Sequence, residues 1–563
     1  MYITVKESEL LHDNIKGGKF MKVKKLTALI LGVTMLAATV TGCGGSGNDS
    51  AGAGSLAEGS GAEASSDGPI TLTFFDKNSG SNTFDDPVAL AIQERTGVTV
   101  QVENPTGDPL EKLNLMLTGQ NYPDIVLMDR GNEIVNRYIE AGALIPLNDL
   151  IDEYGPHIKE MYGEVMTKSV YLDGKNYYLN NWYGVDPDAV AGVLMRRDLL
   201  AEIVGEDRAN SNEPFTQSEY LDILRQFKEK YPTIDGKESI AVTLDAESKN
   251  YEGTLFGMYG MTTYYIDENN NVQHRAKDPR FKDAVTFANT LYTEGLLDKE
   301  WVVNKKEQWT QKLSAGNVFS TFCSYWDPDS ANTSLASTIG EDAQFYSYKV
   351  VADGVDPSET QYSGRSTLGW DAIGITNNCQ NPEAAIKFID FLVSEEGQYL
   401  MMWGLEGENW DMVDGKHVPK QEIIDGFKND FDATKLETGI RKWTWFIKNG
   451  YGSDGTPYDV TKYETSDTTN FANASFGESD RWDTADYTGL EPAGSSPEGL
   501  KWQKVKDVYD QNFPKIVNAA DTAEAAAVYE SMLSEMEESG LSEVEAYMSK
   551  QYQERMKLWG KAE

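Results

Sequence analysis

Three polar dipeptides, Asp76-Lys77, Glu103-Asn104 and Asp129-Arg130, each close a short, largely apolar run. A carboxylate accepts hydrogen bonds from two hydroxyls at once, and Lys or Arg donates back. Such side chains suit a hydroxyl-rich ligand. The competing reading is that Asp and Asn merely cap the helices that follow. A second chemistry comes from Tyr325-Trp326, which follow the expected strand 318–322 beside Ser324 and Asp327. An aromatic face at a strand end offers a stacking platform, although Trp is more often core.

The elements that must position these residues are readable nearby. Residues 70–74 alternate as a strand, and Asp86-Pro87 opens a helix that Gly97 ends. Val98, Val100 and Val102 alternate next, Pro109 opens a second helix closing at Gly119, and 125–128 is an apolar run suited to a buried parallel strand. This β-α-β-α-β order predicts right-handed crossovers and a parallel sheet. Ligands of open parallel sheets sit beyond the carboxyl ends of the strands, where the three dipeptides fall. Further on, Thr216 and Glu219 predict a capping box. Asp278-Pro279 predicts the start of a helix with Phe281, Val285, Ala288 and Tyr292 on one face, ended by Gly295. Asp521/Glu524 and Ser542/Glu545 predict two C-terminal helices, the second burying Val544, Met548, Tyr552, Met556 and Trp559.

Lys22, Lys24 and Lys25 precede an uncharged, mostly apolar run over 26–40, and small residues surround Cys43. This is the layout of a secretory signal, and the run is shorter than the ~20 residues of a spanning helix. Residues 1–20 are expected to lie upstream of the true start at Met21, with 21–42 as signal peptide. Residues 43–68 are almost wholly Gly, Ser, Ala and acid, expected to act as a flexible tether. The remainder is too long for one ordinary domain, so two lobes are expected.

The chain carries 90 acidic and 50 basic residues, a net charge of −40. A body this acidic repels nucleic-acid phosphates. Its 4 histidines and 3 cysteines show no zinc spacing, and no Gly-rich phosphate loop ends in Lys-Ser/Thr. Cys323 and Cys379 could pair outside the cell, but two buried free thiols are the favoured expectation. No cofactor is expected, with one weak calcium candidate: Asp267, Asn269, Asn271 and Asp278 match part of an EF-hand loop, but Val272 stands at the turn-glycine place. A tight turn explains the same residues more simply.

The stretches TLTFFDKNSG, ERTGVTVQVENP, LNLMLTGQNYPDIVLMDRG and EAGALIPL together resemble the N-terminal lobe of family 1 extracellular solute-binding proteins of carbohydrate ABC importers. In that maltose-binding-protein-like family, Asp76-Lys77 matches a sugar-binding Asp-Lys pair, Pro123-Asp124-Ile125 a signature, and Asp129-Arg130 a sugar-binding pair. Cys43, after Val40-Thr41-Gly42, resembles the bacterial lipobox, in which the thiol is acylated. The resemblance places Asn181 and Trp182 at a cleft floor after the first lobe crossing, Tyr325-Trp326 at a stacking position, and Trp370-Asp371 on a return strand. Met128 stands where a stacking Trp would be. The motif 404–410, ending in Trp410, resembles the long lipoprotein subfamily. The fold implied is an α/β, type II, two-lobed clamp like that of periplasmic binding proteins, each lobe a mixed, mainly parallel sheet flanked by helices. Lobe 1 is expected over 69–180 and 366–405, and lobe 2 over 181–365 and 406–563.

The function so implied is a receptor, not an enzyme. It would be a monomer lipid-anchored at the outer face of the cell membrane, closing its lobes on an oligosaccharide and handing it to ABC permease subunits. Two rivals stand beside it: a cell-surface glycoside hydrolase, needing two carboxylates ~5–10 Å apart, and a sugar sensor for a membrane kinase.

Overall fold

The computed structural model describes residues 70–186 and 188–561. The expectations for the leader, Cys43 and the tether lie outside these residues.

The first sheet forms as its sequence pattern requires. Strands β1 (Ile70–Phe75), β2 (Val98–Glu103) and β3 (Ile125–Asp129) run parallel, joined by helices Pro87–Thr96 and Pro109–Gly119. Asp86 caps the first helix by accepting from the Ala89 N–H, and Asp108 caps the second through Glu111. The sheet is widened by β4 (Leu179–Asn181).

The chain then builds a second sheet from β5 (Ala191–Arg196), β6 (Ile240–Thr243), β7 (Val318–Ser324) and β8 (Phe345–Tyr348), in the order β8-β5-β7-β6. Here β5 is antiparallel to β7 and β8, while β6 and β7 are parallel. It returns through β9 (Ser363–Arg365) to β10 (Asp371–Ile375), which inserts antiparallel between β3 and β4. The first sheet therefore reads β2-β1-β3-β10-β4. Strand β11 (Arg481–Asp483) later pairs in parallel with β9.

Each sheet has its own core. One includes Phe74, Ile125, Ile373 and Phe388; the other includes Val193, Phe227, Phe256 and Phe319. The C-terminal helices Pro497–Val517, Thr522–Glu538 and Leu541–Leu558 contribute Val505, Met532 and Met548 to the second core.

Several sequence expectations need correction. Residues 406–463 were expected with the second lobe, yet Trp410, Ile440, Trp443, Trp445, Phe446 and Val460 are buried in the first core. Hydrogen bonds explain why: Trp445 Nε1 donates to Asp76 at 2.8 Å and Trp443 Nε1 to Asp86 at 2.7 Å. The helix expected from Asp278-Pro279 starts at Phe281, because Asp278 turns back onto the Arg280 N–H and guanidinium. The box expected at Ser542/Glu545 does not form. Gly540 caps that helix, Ser542 bonds Glu537, and Glu545 accepts from the His274 N–H. On the same helix Tyr552 is only partly buried against the second core, and Trp559 packs partly against the first. The box at Thr216/Glu219 is present. Cys323, on β7, is buried, while Cys379 is half-buried.

Candidate functional site

The strand register brings four sheet ends to one edge. Asp371, which begins β10, pairs with Asp129 at the end of β3 and with Asn181 at the end of β4. Lys77, just past β1, reaches across this edge: its Nζ lies 2.7 Å from Asp129 Oδ1 and 3.1 Å from Asp371 Oδ1. Burial opposes the Lys77 charge, but the bond to Asp129 and the charge of Asp371 outweigh it and raise its pKa. Burial pushes the Asp371 carboxyl up, against the pull of Lys77.

Within this edge the side chains divide into scaffold and contact surface. Asp76 is buried; it accepts from Trp445 Nε1 and from the N–H groups of Asn78 and Ser79. Asn181 is fully buried; it donates to Asp371 and the Thr444 carbonyl and accepts from the Ile447 N–H. Both were expected to touch ligand, but their polar atoms are spent on the fold. Asn104 donates to the Ser79 carbonyl and leaves its buried Oδ1 unpaired, while Glu103 is half-buried beside it. Asp129 is exposed, with one oxygen on Lys77.

Arg130 clamps the crossing between β9 and β10. It donates to the Gly369 carbonyl from Nε and Nη2, both at 3.0 Å, and to Ser366 Oγ at 3.1 Å. Burial lowers its pKa. Gly369 sits there at φ 63°, where a Cβ would collide with the Asn181 carbonyl and approach the Trp182 carbonyl to 2.7 Å.

That tight crossing holds Trp370 out into solvent at 57% exposure. Trp182 stacks on it, ring centroids 5.7 Å apart and planes 19° from parallel. The Arg441 guanidinium lies 5.8 Å from the Trp182 ring. Met128, at the place of a stacking Trp, is buried in the core; the exposed ring is Trp370, just before β10, stacked on half-buried Trp182 just after β4.

From the second sheet, Tyr325 and Trp326 follow β7. Tyr325 is half-buried and meets Trp326 edge-on at 4.9 Å. Trp326 remains 38% exposed, with the Arg365 guanidinium 5.3 Å from its ring. Arg365 thus links this tryptophan to the segment that carries Trp370.

Trp410 does not join the edge. It is buried, donates to the Gly404 carbonyl at 3.0 Å and packs 4.3 Å from His417. With Tyr399, Glu395 and Arg95 it lines a separate cavity of about 310 Å³. The calcium candidates form a hairpin turn: Asp267 accepts from the N–H groups of Asn269 and Asn271, while the Asp278 carboxylate is held by Arg280 at 2.6 Å. Neither Arg365 nor Arg441, whose guanidiniums lie against Trp326 and Trp182, stood out in the sequence. Arg441 lies where no periodic pattern stood out; for Arg365 the signal was its place five residues before Trp370.

The family model described as Bacterial extracellular solute-binding protein matches residues 88–406. The chain belongs to that family. The expected family resemblance and two-lobed α/β fold are borne out. The Polygalacturonan/rhamnogalacturonan-binding protein YtcQ of Bacillus subtilis (strain 168) is 24% identical over 406 residues, 70% of this chain and 76% of that protein. A carbohydrate ABC transporter substrate-binding protein of Streptococcus pneumoniae serotype 4 is 23% identical over 438 residues, 75% of this chain and 80% of the relative. Among solved structures, an HMO-binding, ABC-transporter-associated solute-binding protein of Bifidobacterium longum infantis superposes with a TM-score of 0.65 at 15% identity, covering 86% of this chain and 99% of that one. That likeness concerns the fold. Lys77 and Asp129 stand at the carboxyl ends of the parallel strands β1 and β3, beside Trp370 just before β10.

Proposed function

We propose that this solute-binding protein captures an oligosaccharide between its lobes and presents it to an ABC importer, without cleaving it. The observation that carries this reading is the exposed ring of Trp370, stacked on half-buried Trp182, beside the Lys77–Asp129 rim. Sugars offer apolar ring faces and many hydroxyls, and this edge supplies both complements. The relatives' names support the class of ligand: one binds polygalacturonan or rhamnogalacturonan, another belongs to a carbohydrate importer. Cys43, outside the described residues, is the anchor, acylated so that the monomer stays on the outer face of the membrane.

A melting screen against oligosaccharides of differing linkage tests the reading. A ligand present at 100 times its Kd adds ~2.7 kcal/mol of stability. The ligand that raises the melting point should also shrink the radius of gyration in small-angle scattering. Failure of every oligosaccharide to stabilise the protein would refute the proposal, and appearance of new reducing ends would make it an enzyme. Membrane retention of a Cys43→Ala variant would refute the anchor.

A further inference from the structure

The stacked pair Trp182–Trp370 does not end at Trp182. The Arg441 guanidinium lies 5.8 Å from the Trp182 ring and 5.1 Å from the ring of Phe431, which opens the helix Phe431–Thr438. Ring contacts therefore run in one chain from exposed Trp370 through Trp182 and Arg441 to Phe431. A guanidinium is planar and weakly hydrated, so it lies against aromatic faces as a compact ammonium does not.

The members of this chain are held in different ways. Arg441 is fastened by polar bonds: Nη1 donates to Thr461 Oγ1 at 3.0 Å, and Nη2 lies 3.3 Å from Asp459 Oδ2. Asp459 Oδ1 in turn accepts from the Thr461 N–H at 3.0 Å and from its hydroxyl at 2.7 Å, which closes the set. The segment itself is anchored, with the Arg441 N–H on the Met401 carbonyl at 2.8 Å and Lys442 on Asp86 at 3.0 Å. The two indoles have no such bonds. Neither Trp182 Nε1 nor Trp370 Nε1 has a hydrogen bond among the described residues, and Trp370 stands mostly in solvent. A ring so exposed has several rotamers open to it, and contact with Trp182 selects one.

Backbone strain collects along the same chain. Trp182 and Arg441 sit at φ 58° and 60°, in the left-handed region that is costly for any residue with a Cβ, and Gly369 before Trp370 sits at 63°. Such positions persist where the surroundings over-determine them, and they cluster at ligand sites. Arg441 also leaves its Nε buried with no partner. An apolar side chain would fill the slot without that cost, so filling space does not account for a guanidinium here.

We propose that Arg441 is a positioning residue for the ligand wall: its guanidinium, fixed by Asp459 and Thr461, sets the tilt of Trp182 and so the orientation in which Trp370 stands open to a sugar ring. The inference rests on the oligosaccharide reading above and adds a residue that acts on the ligand only through two rings. A wall ordered before the ligand arrives spares binding the cost of ordering it.

Circular dichroism of the purified protein tests the positioning without a ligand. Two indoles in contact share their excitation and give paired bands of opposite sign. Subtracting the spectrum of Trp370→Ala isolates the bands of Trp182–Trp370 from those of Trp443 and Trp445, whose centroids are 5.2 Å apart. Arg441→Met should abolish most of these bands, and Arg441→Lys, which keeps the charge but not the plane, should not restore them. Asp459→Asn loosens the guanidinium without removing it and should weaken the bands in part, so the test stands if Arg441→Met does not fold. Bands unchanged in these variants would overturn the proposal. Calorimetry with maltotetraose, nystose and tetragalacturonate reads the consequence for binding. For a sugar that the wild type binds, Arg441→Met should raise Kd about three- to tenfold, the ordering of one side chain expressed as affinity. In a Trp370→Ala background it should change Kd no further, because the two residues act as one unit. Additive losses, or bands lost with Kd unchanged, would overturn the role of Arg441 in binding. Failure of all three sugars to bind the wild type would strike the receptor reading itself, a result distinct from unchanged bands.

Discussion

Trp182 and Trp370 stack 5.7 Å apart at 19°, one following β4 and the other preceding β10, so two chain crossings share a single aromatic wall. The Trp370 ring is the one open to solvent.

Trp370→Ala should weaken sugar binding by about 2 kcal/mol, roughly a thirtyfold rise in Kd, as loss of an aromatic anchor does. Its melting point should barely move, because the ring is 57% exposed. Trp410→Ala should do the reverse, costing about 3 kcal/mol of stability as a large core truncation, since this ring is buried beside His417. Calorimetry beside melting curves separates the two.

Asp371→Ala removes the fully buried carboxylate that holds Lys77, Asn78 and Asn181. Breaking a buried pair in this way should cost roughly 3 kcal/mol. Urea unfolding reads the loss. Asp371→Asn should recover part of it, since an amide oxygen still accepts from Asn181.

Gly369→Ala should damage fold and binding together. The new methyl meets the Asn181 and Trp182 carbonyls, and φ is 63°. Strain of about 1–3 kcal/mol is expected, read as a lower melting point, with Arg130 losing its aligned carbonyl. An unchanged melting point would show that the crossing has slack.

His274 supplies a pH test. Burial first, then Arg275 and Lys277, push its pKa down to about 3. Its Nδ1 accepts from the Ala276 N–H, and Glu545 accepts from its own N–H. With the folded value below the unfolded one of about 6.5, neutral His274 contributes stability above pH ~6.5 that is lost as pH falls towards 3. Melting points between pH 7 and 4 should fall less steeply for His274→Gln than for the wild type.

The first half of the first sheet was legible in sequence because its signals are local. Valines at alternate places, and Asp-Pro before each helix, act within a few residues. The polar strand ends were legible too, but not their division of labour. Asp76 reads as ligand-facing until Trp445 arrives from 369 residues away, and Asn181 until Ile447 does. No periodicity within a window encodes such partners.

Trp445 and Asp76 also bear on the order of assembly. The first sheet begins with the earliest strand of the described chain, yet its central neighbour β10 and its tryptophan lining come from beyond residue 370. The second sheet draws its four strands from one continuous stretch, 191–348. A nascent chain emerging N-terminus first can pair β1, β2 and β3 with one another, but it leaves the far edge of β3 open until β10 arrives. Long-range pairing of this kind is slow and leaves apolar strand edges open. The earliest-made sheet gains its last strands only after the second sheet has all four of its own, and shielding that open edge in the meantime falls to whatever chaperone meets the emerging chain.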